Sequence, residues 1–206
     1  MKIEKFDNAR HNRSAFYCGI DPIDNFLKSS LSDQIKVGNV VAKVATADGG
    51  RDVLGFYTLG AMAVTAGPGP KRWQSTGVPY IPVIYIRAVA VHKNMQGKGY
   101  GTALMVDAMR CSLKVADQIG VAAIVLDVLR DDHFAQRRCF YEWPGFRPLK
   151  DPDNPERVHI PMADLREVWR SICGIAAFRM NQPRVPAGTG TSTHTHPVRD
   201  YNNPID

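Results

Sequence analysis

With 206 residues, 44% of them hydrophobic and 22% charged, the chain has room for one core of ordinary size plus an appendage, which argues against two full domains, intrinsic disorder or a membrane-embedded protein. The formal charge of +6, with a pI near 9.2, favours an anionic partner such as nucleic acid or a phosphorylated cofactor, set against the plainer alternative of a solvated lysine face. No apolar run nears the roughly 20 residues that span a bilayer, and the first seven residues lack a signal peptide's apolar stretch, so a cytoplasmic chain without membrane contact is expected.

Asp21-Pro22 supplies an N-cap and a first-turn proline, and Ile23, Phe26, Leu27 and Leu31 recur on one face. That pattern predicts an amphipathic helix of about 15 residues ending near Gly38. Runs from Asn39 to Ala47 and from Asp52 to Val64 flank Asp48-Gly49-Gly50 and read as a hairpin. Gly67-Pro68-Gly69-Pro70 and the polar residues up to Pro82 read as a loop carrying Lys71, Arg72 and Trp73. Val83 to Val91 is apolar except for Arg87 and reads as a central strand buried on both faces, leading into a glycine-rich turn.

Beyond that turn, Leu104, Ala108, Cys111 and Val115 repeat at helical spacing. Val121 to Leu129 reads as a strand, Asp131 to Trp143 as a helix stopped by Pro144-Gly145, and Arg157 to Pro161 as a short last strand. Leu165, Val168, Trp169, Ile172 and Ala176 mark a C-terminal helix at about 163–180. Residues 181–206, rich in Pro, Gly, Thr, His and Asn, read as a flexible tail, and its His194 and His196 are too few to assign a metal site. The four cysteines, Cys18, Cys111, Cys139 and Cys173, form no C-x-x-C pair and are expected to be reduced, mostly buried thiols. The order of elements predicts a single-domain α/β fold, a mixed sheet flanked by helices.

The chemistry centres on Gln96-Gly97-Lys98-Gly99-Tyr100-Gly101-Thr102. A strand, a glycine-rich turn and a helix in that order make an anion site, because the first amides of the helix lack intrahelical partners and carry the positive end of its dipole. Glycine at 97, 99 and 101 permits positive φ and keeps side chains away from a phosphate, and Gly101 is expected to let helix and strand approach. The spacing G-x-G-x-G after a mid-chain strand is not the G-x-G-x-x-G of a dinucleotide fold, and G-x-x-x-x-G-K-[ST] is absent.

The stretch from Val89 through Gln96-Gly97-Lys98-Gly99 to Leu104 resembles the [RQ]-x-x-G-x-[GA] signature of the GNAT superfamily of acyl-CoA N-acyltransferases. The resemblance implies that amides from Gln96 to Thr102 (Gln96, Gly97, Lys98, Gly99, Tyr100, Gly101, Thr102) hold the pyrophosphate of acetyl-CoA, and that Val89, Ala90 and Val91 bond its pantetheine arm through their backbone. Phe16-Tyr17-Cys18-Gly19, Ile23-Asp24-Asn25-Phe26-Leu27, Phe140-Tyr141-Glu142-Trp143-Pro144-Gly145-Phe146 and Ile160-Pro161-Met162-Ala163-Asp164-Leu165 further resemble, in order, the marks of GNAT toxins of type II toxin-antitoxin modules. Trp143-Pro144 departs from that pattern, and the segment after Leu165 is longer than usual. The resemblance implies direct acetyl transfer to the α-amine of aminoacyl-tRNA in a ternary complex, a block of translation, neutralisation by a ribbon-helix-helix antitoxin, a homodimer, and Tyr141 as general acid toward the CoA sulfur.

The residues also speak for themselves. The strand Val83 to Val91 holds no Asp or Glu, so no carboxylate base is evident there. An α-amine titrates near roughly 8 and a lysine near roughly 10.4, so the missing base favours an aminoacyl ester over a protein lysine. Arg87, Lys93, Arg137 and Arg138, with Lys71, Arg72 and Lys98, are candidates for contacts to the phosphates of a tRNA acceptor stem or of the CoA nucleotide, Arg137 and Arg138 foremost because they lie within about a turn of Tyr141. Arg87, interrupting a buried strand, is expected to meet a carboxylate or a substrate phosphate. The alternatives are an acyltransferase for a small-molecule or protein amine, and a CoA-binding module without catalysis.

Overall fold

A computed structural model describes residues 1–180; the expected tail, with its His194 and His196, lies outside the described residues. The early helix begins at α1 (Asp21–Asn25), widens through one π turn at Phe26–Ser30 and continues as α2 (Leu31–Lys36). It buries Leu27 and Leu31, both 0% exposed, so the predicted apolar stripe is present even though its period is interrupted.

Seven strands form one sheet in the order β1-β2-β3-β4-β5-β7-β6. These are β1 (Lys2–Lys5), β2 (Val41–Thr46), β3 (Gly55–Thr65), β4 (Tyr80–Val91), β5 (Ala123–Asp127), β6 (Arg147–Pro148) and β7 (Arg157–Pro161). All neighbours are antiparallel except β4 and β5. β2 and β3 make the expected hairpin. β1 and β6 have no counterpart in the sequence reading, because a four-residue edge strand and a two-residue one are too short to show a period.

The helices cover both faces. On one, α4 (Tyr100–Ala116) and α6 (Met162–Met180) enclose a core with Leu104, Met105, Met109, Tyr57, Ile124 and Ile160. Removing a side chain as buried as Leu104 is expected to cost about 2–5 kcal/mol. On the other, the α1–α2 segment closes over Phe16, Val44, Phe56, Ala88 and Ala90.

The loop expected between β3 and β4 differs in one respect. Lys71–Gln74 winds into a short helix, α3, started by Pro70, and Trp73 packs at 4% exposure against His159 and the lower sheet. β4 also begins earlier than predicted, at Tyr80, with Pro82 on an exposed position where the ring costs no buried contact.

Candidate active site

The site begins with an irregularity in β4. Thr58 of β3 faces Ala88 while Leu59 faces Ile86, so Arg87 is an extra residue, a β-bulge. A one-residue slip reverses the alternation: Ile84 and Ile86 point into the α4 core, whereas Ala88 and Ala90 point to the α1–α2 side. Arg87 is thereby turned out of the sheet. It is exposed, its guanidinium 5.4 Å from the Phe26 ring centre, and it has no carboxylate within ion-pair distance among the described residues. The expectation of a buried charge needing a counterion is corrected: the bulge delivers Arg87 to solvent over an aromatic face.

The same strand parts from its parallel neighbour. β4 and β5 pair only over Val83–Tyr85 and Ala123–Val125, and β4 then runs on to Val91 paired with β3 alone. The opening between them is a groove of about 410 Å³, lined by Val89, Ala90, Val91 and Gln96 on one side and by Arg137 and Tyr141 on the other.

At the head of the groove, a 3₁₀ turn (Lys93–Met95) fills the few residues between β4 and the glycine-rich turn. The Gln96 amide donates to two carbonyls, those of Cys18 and Val91, each at 3.0 Å. Its side chain is committed to the protein and ties the turn to the N-terminal segment. Gly97 has φ +73° and Gly99 φ +81°, and a Cβ at either would stand in open space. Their requirement is therefore one of backbone conformation. Gly99 caps α4, and the N–H groups of Gly97, Lys98, Gly99, Tyr100, Gly101 and Thr102 find no acceptor among the described residues. Six unpaired donors at the positive end of a 17-residue helix form a cradle that fits a diphosphate such as that of acetyl-CoA.

Gly101 behaves differently from expectation. A Cβ there would lie 3.6 Å from Phe140 and 3.8 Å from Val91, ordinary contact distances, so close helix–strand approach does not demand glycine at this position. The tight approach occurs at Gly55 of β3, where a Cβ would come within 2.8 Å of the end of Leu104 and 3.1 Å of the Ala90 carbonyl oxygen.

Tyr141 stands on α5 (Phe134–Glu142), its ring 5.3 Å from Phe140 and 6.3 Å from Phe146. Its hydroxyl has no hydrogen-bond partner among the described residues. Burial pushes the phenol up to about 12, with the Arg137 guanidinium pulling slightly the other way. It is therefore a donor at any physiological pH.

Beyond Tyr141 lies a second, smaller hollow of about 70 Å³, which shares Ile20, Val89, Arg137 and Tyr141 with the groove. Arg87 and Asp127 border it. Asp127 is engaged: it accepts from Tyr85 at 3.0 Å and from Arg157 at 2.7 and 3.0 Å, and Arg157 in turn reaches Asp151 at 2.9 Å. Asp131, on the groove side, is paired with Arg137, which holds its carboxyl below the usual range. The other candidate cations divide. Lys93 lines the groove, Arg138 pairs with Glu142 at 3.1 Å and borders neither opening, and Lys71 and Arg72 lie on α3, away from both.

Two features escaped the sequence reading. Ile20 and Ile23 wall the hollow although they look like ordinary core periodicity. Asp24, only 4% exposed, accepts the Cys18 N–H at 2.8 Å and so fixes the segment whose carbonyl receives Gln96. The available signal was an acid placed among apolar helix positions. Among the thiols, Cys18 is buried as expected, but Cys139 is exposed, because its position on α5 faces away from the sheet.

Comparison with known proteins agrees with this geometry. Residues 40–148 match the Acetyltransferase (GNAT) domain family. A probable toxin TacT of Sinorhizobium fredii is 36% identical over 81% of this chain and 93% of its own length. A tRNA-acetylating toxin of Mycobacterium tuberculosis is 30% identical over 74% of this chain and 87% of its own. The toxin AtaT, solved bound to the C-terminus of the antitoxin AtaR and acetyl-CoA, superposes with a TM-score of 0.68 at 22% identity, covering 82% of this chain and 97% of that one. AtaT complexed with acetyl-methionyl-tRNAfMet gives 0.71, again at 22% identity, over 82% and 98%. At that identity the likeness speaks for the fold. Family match, curated relatives and the diphosphate cradle converge, and the chain belongs to the GNAT acetyltransferases.

Proposed function

We propose that this protein is the toxin of a toxin-antitoxin module and transfers acetyl from acetyl-CoA directly to the α-amine of aminoacyl-tRNA, blocking translation. The observation that carries the reading is the arrangement around Tyr141: a donor groove and an acceptor hollow meet at one unpartnered hydroxyl, and both nearby carboxylates, Asp127 and Asp131, are engaged by arginines. With neither carboxylate free to act as a base, an acceptor that surrenders its proton readily is favoured. An α-amine near roughly 8, lowered further by its ester, does so far better than a lysine near roughly 10.4.

Bound acetyl-CoA supplies the thioester. The amides from Gly97 to Thr102 receive its diphosphate, Gln96 holds that turn against Cys18 and Val91, and the free edge of Val89 to Val91 aligns the arm. Tyr141 donates its hydroxyl hydrogen to the departing sulfur. A phenol near 12 is a weaker acid than a thiol near roughly 8.5, so its part is a hydrogen bond that strengthens as charge develops rather than an early proton release. Cys18 lines the groove, but burial pushes its thiol up to about 12, which argues for direct transfer over an acyl-cysteine route. Arg87 and Lys93, exposed and without carboxylate partners, are placed to meet the acceptor-stem phosphates, with Arg137 between the two openings. The neighbour AtaT, solved bound to the C-terminus of the antitoxin AtaR, supports pairing with an antitoxin, for which we propose a ribbon-helix-helix protein, and we further propose a homodimer acting in the cytoplasm.

The test is incubation with labelled acetyl-CoA and total charged tRNA. Label on the aminoacyl moiety is expected; label on free amines or protein with none on tRNA overturns the reading.

A further inference from the structure

The hollow on the acceptor side of Tyr141 is small, has isoleucine and leucine walls with a charged border, and its surroundings are one-sided in charge. Its volume is about 70 Å³, whereas benzene occupies an apolar cavity of roughly 150 Å³. Ile20 and Ile23 come from the residue before α1 and from α1 itself, Ile86 from β4, and Leu126 and Leu129 from β5 and the loop after it. The charged groups bordering it are Arg87, Arg137 and Asp127. Asp127 is taken by Arg157 and Tyr85, and Arg137 by Asp131, which leaves Arg87 as the one uncompensated charge.

From this geometry we infer that the hollow seats the side chain of the aminoacyl group and selects small residues over aromatic and basic ones. The inference rests on the aminoacyl-tRNA reading above and names which aminoacyl esters that site takes. Two penalties act together. An aromatic side chain exceeds the space, and the well-packed isoleucine and leucine walls yield only at the cost of strain. A lysine or arginine side chain would bring a third cation beside Arg87 and Arg137 and leave water for an apolar wall. A glycyl, alanyl or seryl ester fits without either penalty, and its amine then lies beside Tyr141 and the edge of Val89. Arg87, exposed over Phe26, remains at the rim for the phosphate of the terminal nucleotide. AtaT, solved with an acetyl-methionyl product, shares the fold at 22% identity, so its acceptor does not fix the one used here.

The experiment uses the full chain, labelled acetyl-CoA and a panel of tRNA pools each charged with a single amino acid, methionine included, reading kcat/KM for each. Glycyl, alanyl and seryl species are expected to exceed phenylalanyl, tyrosyl, tryptophanyl, lysyl and arginyl species by about tenfold or more, the scale on which a hydrophobic pocket discriminates size. The variants Ile23→Ala and Leu129→Ala, checked for unchanged acetyl-CoA binding, are expected to narrow the gap to the aromatic species by widening the hollow. Aromatic or basic species acetylated as well as the small ones, or a gap that neither folded variant alters, would overturn the selectivity while leaving the aminoacyl reading standing. Label on no aminoacyl species would overturn the aminoacyl reading, and the selectivity with it.

Discussion

The groove and the hollow on either side of Tyr141 are made of different material. The donor side is backbone: six unpaired amides, two left-handed glycines and the free edge of a strand. The acceptor side is side chain: isoleucines and leucines from three separate segments, with an arginine turned outward by a bulge. Backbone suits a partner whose chemistry never varies, since every chain has amides and only their orientation must be arranged. Side chains suit a partner whose identity must be chosen. A change on the donor side is therefore expected to alter acetyl-CoA affinity for all acceptors alike, and a change on the acceptor side to alter the ranking of acceptors.

The sharpest way to test that division is at its boundary. Tyr141→Phe removes the hydroxyl and keeps the ring between Phe140 and Phe146, so acetyl-CoA binding by calorimetry should stay within about twofold while single-turnover acetyl transfer falls by about 10²–10⁴. A matching loss of binding would show that the ring builds the groove and that the hydroxyl is not chemical. The pH profile gives an independent reading. Because burial raises the phenol to about 12, its neutral form is retained well past its ordinary value near 10, and no descending limb from Tyr141 belongs between about pH 6 and 9. The rate should instead rise as the acceptor amine loses its proton and then level, with the same midpoint in the residual activity of Tyr141→Phe.

A smaller effect is expected wholly within the donor side. Gly99→Val places a β-branched residue at φ +81°, and the turn must either bear a strain of about 1–2 kcal/mol or refold and scatter its amides. Acetyl-CoA affinity should fall by about tenfold or more, with the order of preferred acceptors unchanged. An altered order would break the division between the two sides. Gln96→Ala loses two hydrogen bonds of about 1 kcal/mol each and leaves the Cys18 and Val91 carbonyls to water, so a loss of about tenfold or somewhat less is expected, again in acetyl-CoA affinity.

The same division explains what could be read from the chain. The donor side was legible because left-handed backbone at the mouth of a helix needs glycine, and Gly97 and Gly99 stand two positions apart in sequence. Arg157 to Pro161 was legible to the residue because Val158 and Ile160 alternate with Arg157 and His159 just after a turn-rich stretch. The bulge was not. It arises from the pairing of β3 with β4, and nothing in Val83 to Val91 announces that Arg87 will be the residue without a partner. Ile20 and Ile23 were hidden for a related reason: the periodicity that marks a core also marks the wall of a hollow, and only the separation of β4 from β5 distinguishes them. Trp73 and Asp24 were underestimated because burial of a loop tryptophan or a helix carboxylate is decided by distant partners.

Gly101 offers the smallest expected effect and the most discriminating one. The signature invites the view that all three glycines serve the diphosphate, yet Gly101 lies inside α4 with ordinary helical backbone, and a methyl there would touch Phe140 and Val91 at 3.6 and 3.8 Å without displacing them. Alanine is also the better helix former by about 1 kcal/mol. Gly101→Ala is thus expected to leave acetyl-CoA affinity within about threefold and to hold or slightly raise the melting temperature. Gly55→Ala is the contrasting control, since its methyl would meet Leu104, itself fully buried, at 2.8 Å and the backbone of Ala90 at 3.1 Å. Overpacking of that kind costs about 1–3 kcal/mol and should appear as a lowered melting temperature. If Gly101→Ala instead abolished acetyl-CoA binding while the protein stayed folded, bound diphosphate would have to lie against the Cα of Gly101 itself, and the third glycine would serve the ligand by its lack of a side chain rather than by its backbone conformation.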